Sequence, residues 1–300
     1  MRVGEIAVVG RPNAGKSTLV NALVGEKVAI VSDKPQTTRT RILGVARRAD
    51  AEIALVDTPG IHRPQYRMNA AMVREATDAL SAADAILFVV DAAEERGAGD
   101  AAVAGLCRKA GTPVVLAVNK IDLLKKDRLL PLLAALGADP VYRELADIVP
   151  VSARTGENVD RLFAVLAGRL PEGDAAYPDD FLTATPETEW IGEVIREKLL
   201  ERTRDELPFA HAVVIESVRP GADPDITVVS ATVVVEREGQ KGIVVGKGGS
   251  MIRSIGQAAR EELEREMGRR FYLELTVRVQ PEWRNDERFL SRIRGKQTDR

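Results

Sequence analysis

The sequence predicts an α/β domain with a mostly parallel sheet, followed by a smaller α+β domain. Three observations predict this order. Short apolar runs alternate with longer helical stretches over roughly the first 170 residues, as in parallel sheets with crossover helices. Only a short turn separates the strand-like runs 42–48 and 52–56, so these two strands must be antiparallel at one edge. A stretch rich in proline, glycine and acid then marks a linker.

The predicted strands of the first domain end at polar or small residues. These residues are Gly10, Asp57, Asp91, Asn119 and Ser152. Since the carboxyl ends of parallel strands share one edge, where open α/β sheets bind ligands, this edge is the predicted site.

A phosphate-binding loop follows the first strand. Residues 10–17 read GRPNAGKS and match G-x-x-x-x-G-K-S at every fixed position. In such a loop, backbone N–H groups point at phosphate oxygens, Lys16 adds a positive charge and Ser17 is placed to ligate Mg²⁺. A plain packing turn is the alternative, and the strand-to-helix context disfavours it. The residues assigned here to nucleotide binding are Gly10, Arg11, Pro12, Asn13, Ala14, Gly15, Lys16, Ser17 and Thr18.

A second group of residues predicts that the base is guanine. Asn119, Lys120 and Asp122 follow the strand-like run 114–118. A carboxylate at Asp122 can accept from both N1–H and the exocyclic amine of guanine, a donor pair that adenine lacks. The next strand leads to Ser152, Ala153 and Arg154, where the backbone can meet the guanine O6; all three are assigned to nucleotide binding.

The segments between these motifs are predicted to sense the γ-phosphate. Asp57, Thr58, Pro59 and Gly60 end the strand 52–56, so that Asp57 can hold Mg²⁺ through water and the Gly60 N–H can meet the γ-phosphate. Either Thr37 or Thr38 ligates Mg²⁺ when GTP is bound, and Thr38 is the residue assigned. The predicted metal ligands are thus Ser17, Thr38 and Asp57, and the predicted catalytic residues are Lys16, Thr38 and Gly60.

This order of motifs resembles the small GTPases of the TRAFAC group over roughly the first 170 residues. The resemblance implies GTP and GDP as ligands, Mg²⁺ as cofactor and segments that switch on hydrolysis. Ile61 stands where many GTPases carry a water-orienting Gln, which predicts slow intrinsic hydrolysis, and His62 is more often solvated than catalytic. Similar GTPases with Asn at the position of Asn13 use it to place K⁺, so K⁺ is a candidate second cation.

The second domain is predicted to contain a helix at 189–204, strands at 211–218, 227–236 and 271–279, and a glycine turn between two helices. In the helix after this turn, apolar residues recur on one face from Ile252 to Met267. This order resembles a type II KH domain, in which a G-x-x-G turn admits an RNA backbone beside an apolar groove. A second phosphate loop or a plain turn stays an alternative. The residues assigned to RNA are Ile243, Val245, Gly246, Lys247, Gly248, Gly249 and Arg253, with Lys247 and Arg253 facing phosphates.

A GTPase domain followed by a KH domain is the arrangement of the bacterial Era family, and the resemblance covers nearly the whole chain. It predicts a GTPase domain at 1–172, a linker at 173–187 and a KH domain with its tail at 188–300. It implies binding near the 3′ end of 16S ribosomal RNA and assembly of the small ribosomal subunit. Two alternatives stay open: a GTP-dependent RNA-binding protein with little turnover, and a GTPase of tRNA modification.

Charge and cysteine content bear on partners and location. The formal net charge is −2, but residues 241–300 hold 14 Lys or Arg against 9 Asp or Glu, which suits RNA and equally suits solvated helix faces. The single Cys107 cannot form an intrachain disulfide, which favours the cytoplasm. We expect a monomer. We also expect no membrane span, because the longest apolar runs are too short to cross a bilayer. A peripheral position at the inner face of the cell membrane stays an alternative.

Overall fold

A computed structural model describes residues 1–34, 36–48, 50–60, 66–142, 147–203, 207 and 210–293. The chain forms two compact units. The first contains Met1–Gln65 and Asn69–Ala184, and the second contains Tyr66–Met68 and Thr185–Arg300.

The first unit is built on a six-stranded sheet of order β2-β3-β1-β4-β5-β6. Strand β2 runs antiparallel to β3 and the remaining neighbours are parallel, which confirms the predicted antiparallel edge. Four strands end at the predicted residues, and the last ends two residues early, at Pro150. The strands are β1 (Arg2–Gly10), β2 (Ile42–Arg48), β3 (Ala51–Asp57), β4 (Ala85–Asp91), β5 (Val114–Asn119) and β6 (Asp147–Pro150).

Helices cover both faces of this sheet. They are α1 (Lys16–Val24), α2 (Arg67–Ala82), α3 (Ala98–Ala110), α4 (Lys126–Ala138) and α5 (Val159–Ala167). On one face the apolar side chains of α1 and α5 pack with Leu55 and Leu87, and on the other those of α3 and α4 pack with Phe88. Strand β4 is buried along its whole length because it lies inside this three-layer arrangement.

Residues 173–184, which belong to the predicted linker, pack against the first unit; we call them the strap. Its residues 178–183 lie along the outer edge of β2. The Val45 N–H donates to the Leu182 carbonyl at 2.8 Å, as in a short extra strand. The Arg47 guanidinium also donates to the Phe181 carbonyl at 2.7 Å. The strap therefore occupies hydrogen-bonding groups that a sheet edge would otherwise expose.

The second unit has a three-stranded sheet of order β7-β8-β9, with β7 antiparallel and β9 parallel to β8. Its element order is helix, strand, strand, helix, helix, strand, as the KH resemblance predicts. The elements are α6 (Glu187–Arg202), β7 (His211–Pro220), β8 (Ile226–Val235), α7 (Glu238–Val245), α8 (Ser250–Met267), β9 (Arg270–Val279) and α9 (Glu287–Ile293). The predicted apolar face of α8 enters the core through Ile255, Ala259 and Leu263.

The segment after β9 is anchored by aromatic side chains. Trp283 is fully buried and its Nε1–H donates to the Ala210 carbonyl at 3.2 Å. Phe289 of α9 meets the Trp283 ring edge-on at 5.6 Å between centroids. Burial of these rings fixes α9 to the second unit.

Within the part of the chain that the structure describes, no helix is both long and apolar enough to cross a membrane.

Candidate functional site

The phosphate loop connects β1 to α1, and two of its glycines have no room for a side chain. A Cβ at Gly10 would lie 2.3 Å from the Val89 carbonyl oxygen. A Cβ at Gly15 would lie 2.3 Å from Asn119 Nδ2, and Gly15 also has a left-handed φ of 89°. Close packing against the neighbouring strands therefore requires glycine at both positions.

Lys16 is the first residue of α1 and is almost fully buried. Its ammonium Nζ donates to the Arg11 carbonyl at 3.0 Å. Burial lowers the pKa of Lys16, and the nearby Asp57 carboxylate partly opposes this shift. A phosphate oxygen at this position would supply the negative charge that a buried ammonium needs.

Three side chains with oxygen atoms converge beside Lys16. The Ser17 hydroxyl donates to Asp57 Oδ2 at 2.7 Å, and the Thr38 hydroxyl donates to the same oxygen at 3.0 Å. The two hydroxyl oxygens are 2.8 Å apart. Thr37 points elsewhere, because its hydroxyl donates to the Lys34 carbonyl at 2.6 Å.

The Asp57 carboxylate has an unused oxygen in this cluster. Among the described residues, no donor reaches Asp57 Oδ1, although this atom is buried. Burial raises the pKa of Asp57, while Lys16 and the hydroxyls of Ser17 and Thr38 lower it. Hard oxygen ligands with a partnerless buried carboxylate oxygen fit Mg²⁺.

The residues after Asp57 pack against the phosphate loop. A Cβ on the buried Gly60 would lie 3.0 Å from the Pro12 nitrogen, so the two segments are in direct contact. The Thr58 hydroxyl donates to the Val8 carbonyl at 2.7 Å and thus supports the fold, and Pro59 is buried. Ile61 and His62 lie outside the described residues.

Asn119 connects the phosphate loop to the two base motifs. Its amide Nδ2 donates to the Ala14 carbonyl at 3.0 Å, and its Oδ1 accepts from the Ala153 N–H at 3.0 Å. The Ser152 hydroxyl donates to Asp122 Oδ1 at 2.7 Å. The predicted base residues therefore lie together at the carboxyl edge of the sheet, with the Asp122 carboxylate exposed beside them.

The remaining predicted side chains have different surroundings. Asn13 has a left-handed φ of 64° and donates through Nδ2 to the Asp33 carbonyl at 2.9 Å. Lys120 pairs with Asp91, while Arg154 is exposed. The Arg11 guanidinium contacts α3, away from the loop's phosphate side.

A cavity lies between the phosphate loop and the segment that carries Thr38. Its walls combine loop residues, Ser17, Thr38 and Gly60, so it lies where the γ-phosphate and Mg²⁺ are predicted. Residues on its walls include Asn13, Lys16, Ser17, Thr18, Thr38 and Gly60.

The glycine turn of the second unit joins α7 to α8. Gly246, Gly248 and Gly249 have left-handed φ values of 71°, 56° and 78°. A Cβ on Gly246 would lie 2.7 Å from that of Met251. This explains the glycine content of the turn and leaves its backbone open at the exposed Gly248.

The predicted RNA residues around this turn are accessible to different degrees. Lys247 and Arg253 are exposed, and Arg253 Nη2 donates to the Gly248 carbonyl at 2.7 Å, which ties Arg253 to the turn. Ile243 is 55% exposed and Val245 is half-buried. Because Ile243 is apolar and so exposed beside a cationic turn, it forms a surface on which an unstacked base can lie.

Comparison with known proteins identifies both units. A family model described as a 50S ribosome-binding GTPase matches residues 5–120, and a KH domain model matches residues 206–284. The crystal structure of an Aquifex aeolicus Era variant bound to GDP and AlF4⁻ is 40% identical to this chain, with a TM-score of 0.93. That match covers 99% of each chain. The chain belongs to the Era family.

A second Era structure matches equally well. It is described as Era in complex with MgGDPNP and nucleotides 1506–1542 of 16S ribosomal RNA. Its identity is 40%, its TM-score is 0.94, and the match again covers 99% of both chains. The Era likeness thus extends over the phosphate loop, the base motifs and the glycine turn, and it confirms the predicted pairing of a GTPase domain with a C-terminal KH domain.

Proposed function

We propose that this Era-family protein hydrolyses GTP and uses its nucleotide state to bind and release 16S ribosomal RNA near the 3′ end during small-subunit assembly. The observation that carries the proposal is the whole-chain match to an Era structure containing both MgGDPNP and 16S RNA nucleotides. The family model described as a 50S ribosome-binding GTPase matches residues 5–120 alone, so it is weaker support for the choice of ribosomal subunit than the whole-chain match.

The phosphates are held by the loop between Gly10 and Lys16. Backbone N–H groups of the loop and of the N-terminus of α1 donate to the phosphate oxygens, and the buried Lys16 ammonium exchanges the Arg11 carbonyl for phosphate oxygens. Ser17 and Thr38 are the proposed direct Mg²⁺ ligands, with Asp57 acting through water. Mg²⁺ supplies neutralisation of charge that develops on the phosphate oxygens.

The base is held by Asp122, whose carboxylate accepts from the N1–H and the exocyclic amine of guanine. The Ser152 hydroxyl already donates to Asp122 Oδ1, which fixes the direction of this acceptor. A base without these donors would leave the carboxylate unpaired, and this penalty is the source of selectivity for guanine.

Switching follows from the position of Thr38 and Gly60. Both line the cavity beside the phosphate loop, so both contact the γ-phosphate region and lose that contact after hydrolysis. Hydrolysis is slow without further help, because Ile61 cannot orient water. Asn13 helps to place K⁺, which adds positive charge near the β- and γ-phosphates.

The KH unit binds single-stranded RNA at the glycine turn. The Lys247 ammonium and the turn N–H groups meet phosphates, and Ile243 with Val245 supports bases. The proposed location is the cytoplasm and the proposed state is a monomer. A peripheral position at the inner face of the cell membrane is a second proposed location.

Titration of labelled 16S 3′-end RNA against the protein tests the switch. RNA affinity should differ between the GTP-analogue and GDP forms by about 1 to 3 kcal/mol, and RNA should shift nucleotide preference by the same factor. Indistinguishable curves would leave two independent binding activities. Phosphate release over many turnovers separates a GTPase from a binding protein with little turnover.

A further inference from the structure

The Arg11 side chain leaves the phosphate loop and reaches the start of α3. Its Nη1 donates to Asp100 Oδ2 at 3.1 Å and to the Glu95 carbonyl at 3.3 Å. Its Nη2 lies 3.5 Å from a carboxylate oxygen of Glu94. The phosphate-loop motif alone would place Arg11 beside the nucleotide. In the structure, acidic side chains near the start of α3 hold its guanidinium instead.

Asp100 is itself fixed and nearly buried. Its side chain is 5% exposed, and Oδ2 also accepts from the Gly97 N–H at 3.2 Å, just before the first turn of α3. A carboxylate at a helix N-terminus is stabilised by the helix dipole. A Cβ on Gly99 would lie 3.2 Å from the Arg11 side chain, so Arg11 lies closely along this turn.

The same connecting segment, from Asp91 to Asp100, holds the base motif. Asp91 Oδ2 lies 2.6 Å from Lys120 Nζ, and the Ala92 N–H donates to the Asn119 carbonyl at 2.7 Å. One segment therefore contacts both the phosphate loop and the residues that select the base.

We propose that Arg11 and Asp100 form an ion pair that positions the phosphate loop. The side chain of Arg11 acts as a positioning group and does not itself contact the nucleotide. The inference rests on the proposed nucleotide binding. The Arg11 carbonyl accepts from Lys16. Holding the side chain of Arg11 restricts the orientation of this carbonyl and the conformation of the loop that follows. A loop held in this way loses less conformational freedom when the nucleotide binds.

Release of a fluorescent GDP analogue from the full-length chain tests this role. Arg11→Ala should raise the dissociation rate about tenfold, since interface changes act mainly on dissociation. Asp100→Asn, which keeps an acceptor for the Gly97 N–H, should raise it less. The double variant should dissociate no faster than Arg11→Ala, because both changes break one interaction.

Arg169→Ala is the matched control. Arg169 pairs with Asp147 at 2.5 Å in the same unit. Asp147 is the first residue of β6, so this pair lies at the amino ends of the strands, whereas the site lies at their carboxyl ends. This variant should release GDP at the wild-type rate. Arg11→Lys keeps the charge without the two-nitrogen fork and should fall between wild type and Arg11→Ala.

A merely structural role for Arg11 predicts a different result. It would lower the unfolding midpoint of the nucleotide-free protein while leaving GDP release within twofold of wild type, and that outcome would overturn the proposal. Additive effects of Arg11→Ala and Asp100→Asn would also overturn it. Failure of the unsubstituted chain to bind any guanine nucleotide would refute the proposed function instead.

Discussion

The two candidate sites are organised in opposite ways. In the first unit, polar side chains hydrogen-bond to one another: Asn119 bridges two loops, and Ser17 and Thr38 both donate to Asp57. In the second unit, the glycine turn is exposed and one hydrogen bond, from Arg253 to Gly248, ties a cation to it.

This difference suits two kinds of ligand. A hydrogen-bonded network of this kind rejects a wrong base because the Asp122 carboxylate would lose its contact with water without gaining the two guanine donors. An exposed cationic turn gains affinity mainly from phosphates, so its binding should fall steeply with salt and depend less on exact geometry. The comparison predicts sharp, chemically specific losses in the first unit and broad, electrostatic losses in the second.

The largest effect should come from Asp122→Asn. GTP affinity should fall by roughly four orders of magnitude, because the new amide cannot accept from both guanine donors. Affinity for xanthosine triphosphate should rise, since its oxygen accepts from that amide. Equilibrium titration with both nucleotides measures the change, and a GTP affinity close to wild type would place the base elsewhere.

Paired substitution of Lys247 and Gly248 by Asp should weaken RNA binding by about two orders of magnitude. Two carboxylates would then face the RNA phosphates, while GTP binding stays unchanged because the sites belong to separate cores. Filter binding at two salt concentrations measures the loss. Arg260→Asp, an exposed charge reversal further along α8, is the control and should retain most of the affinity. Equal losses of RNA affinity in both variants would mean that the glycine turn makes no specific contact with the RNA.

Asn119→Ala should destabilise the first unit by about 2 to 3 kcal/mol, because it removes the partners of the buried Ala14 carbonyl and of the half-buried Ala153 N–H. Urea unfolding of the nucleotide-free protein measures this loss. Thr232→Val removes a hydroxyl 3.1 Å from that of Thr276 in the second unit and should cost well under half as much. A similar loss in both variants would mean that the two hydrogen bonds of Asn119 stabilise the protein no more than one hydroxyl pair does.

The smallest effect concerns the second cation. GTP hydrolysis should be about tenfold faster in K⁺ than in Na⁺, and Asn13→Ala should remove this difference while nucleotide affinity changes little. Phosphate release in the two salts provides the measurement. Equal rates for the wild type would reject the role of K⁺.

The sequence predicted most of the framework because local patterns determine it. Strand ends at Gly10, Asp57 and Asn119 follow from apolar runs that stop at motif residues, and the antiparallel edge follows from a short link. Glycines in both turns are recognisable because a side chain would clash at Gly10, Gly15 and Gly246, and because Gly248 and Gly249 have left-handed φ values.

Long-range pairings could not be predicted in this way. Arg11 and Asp100 are 89 positions apart, and nothing in a motif shows where a long cationic side chain turns. Adjacent threonines are equivalent in the sequence pattern, whereas in the structure the Thr38 hydroxyl donates to Asp57 and the Thr37 hydroxyl donates to the Lys34 carbonyl. Composition predicts a linker at 173–187 because this stretch has little to bury. The main contacts of the strap use backbone groups, which composition does not reveal.

The strap also determines where the chain can be divided. Cutting at residue 172, as the domain prediction suggests, would remove it and leave the β2 backbone unpaired, inviting strand addition between copies and aggregation. A fragment that ends at residue 184 would keep the Val45–Leu182 hydrogen bond and the Arg47 contacts. The two fragments should therefore differ in solubility although both contain every nucleotide-site residue.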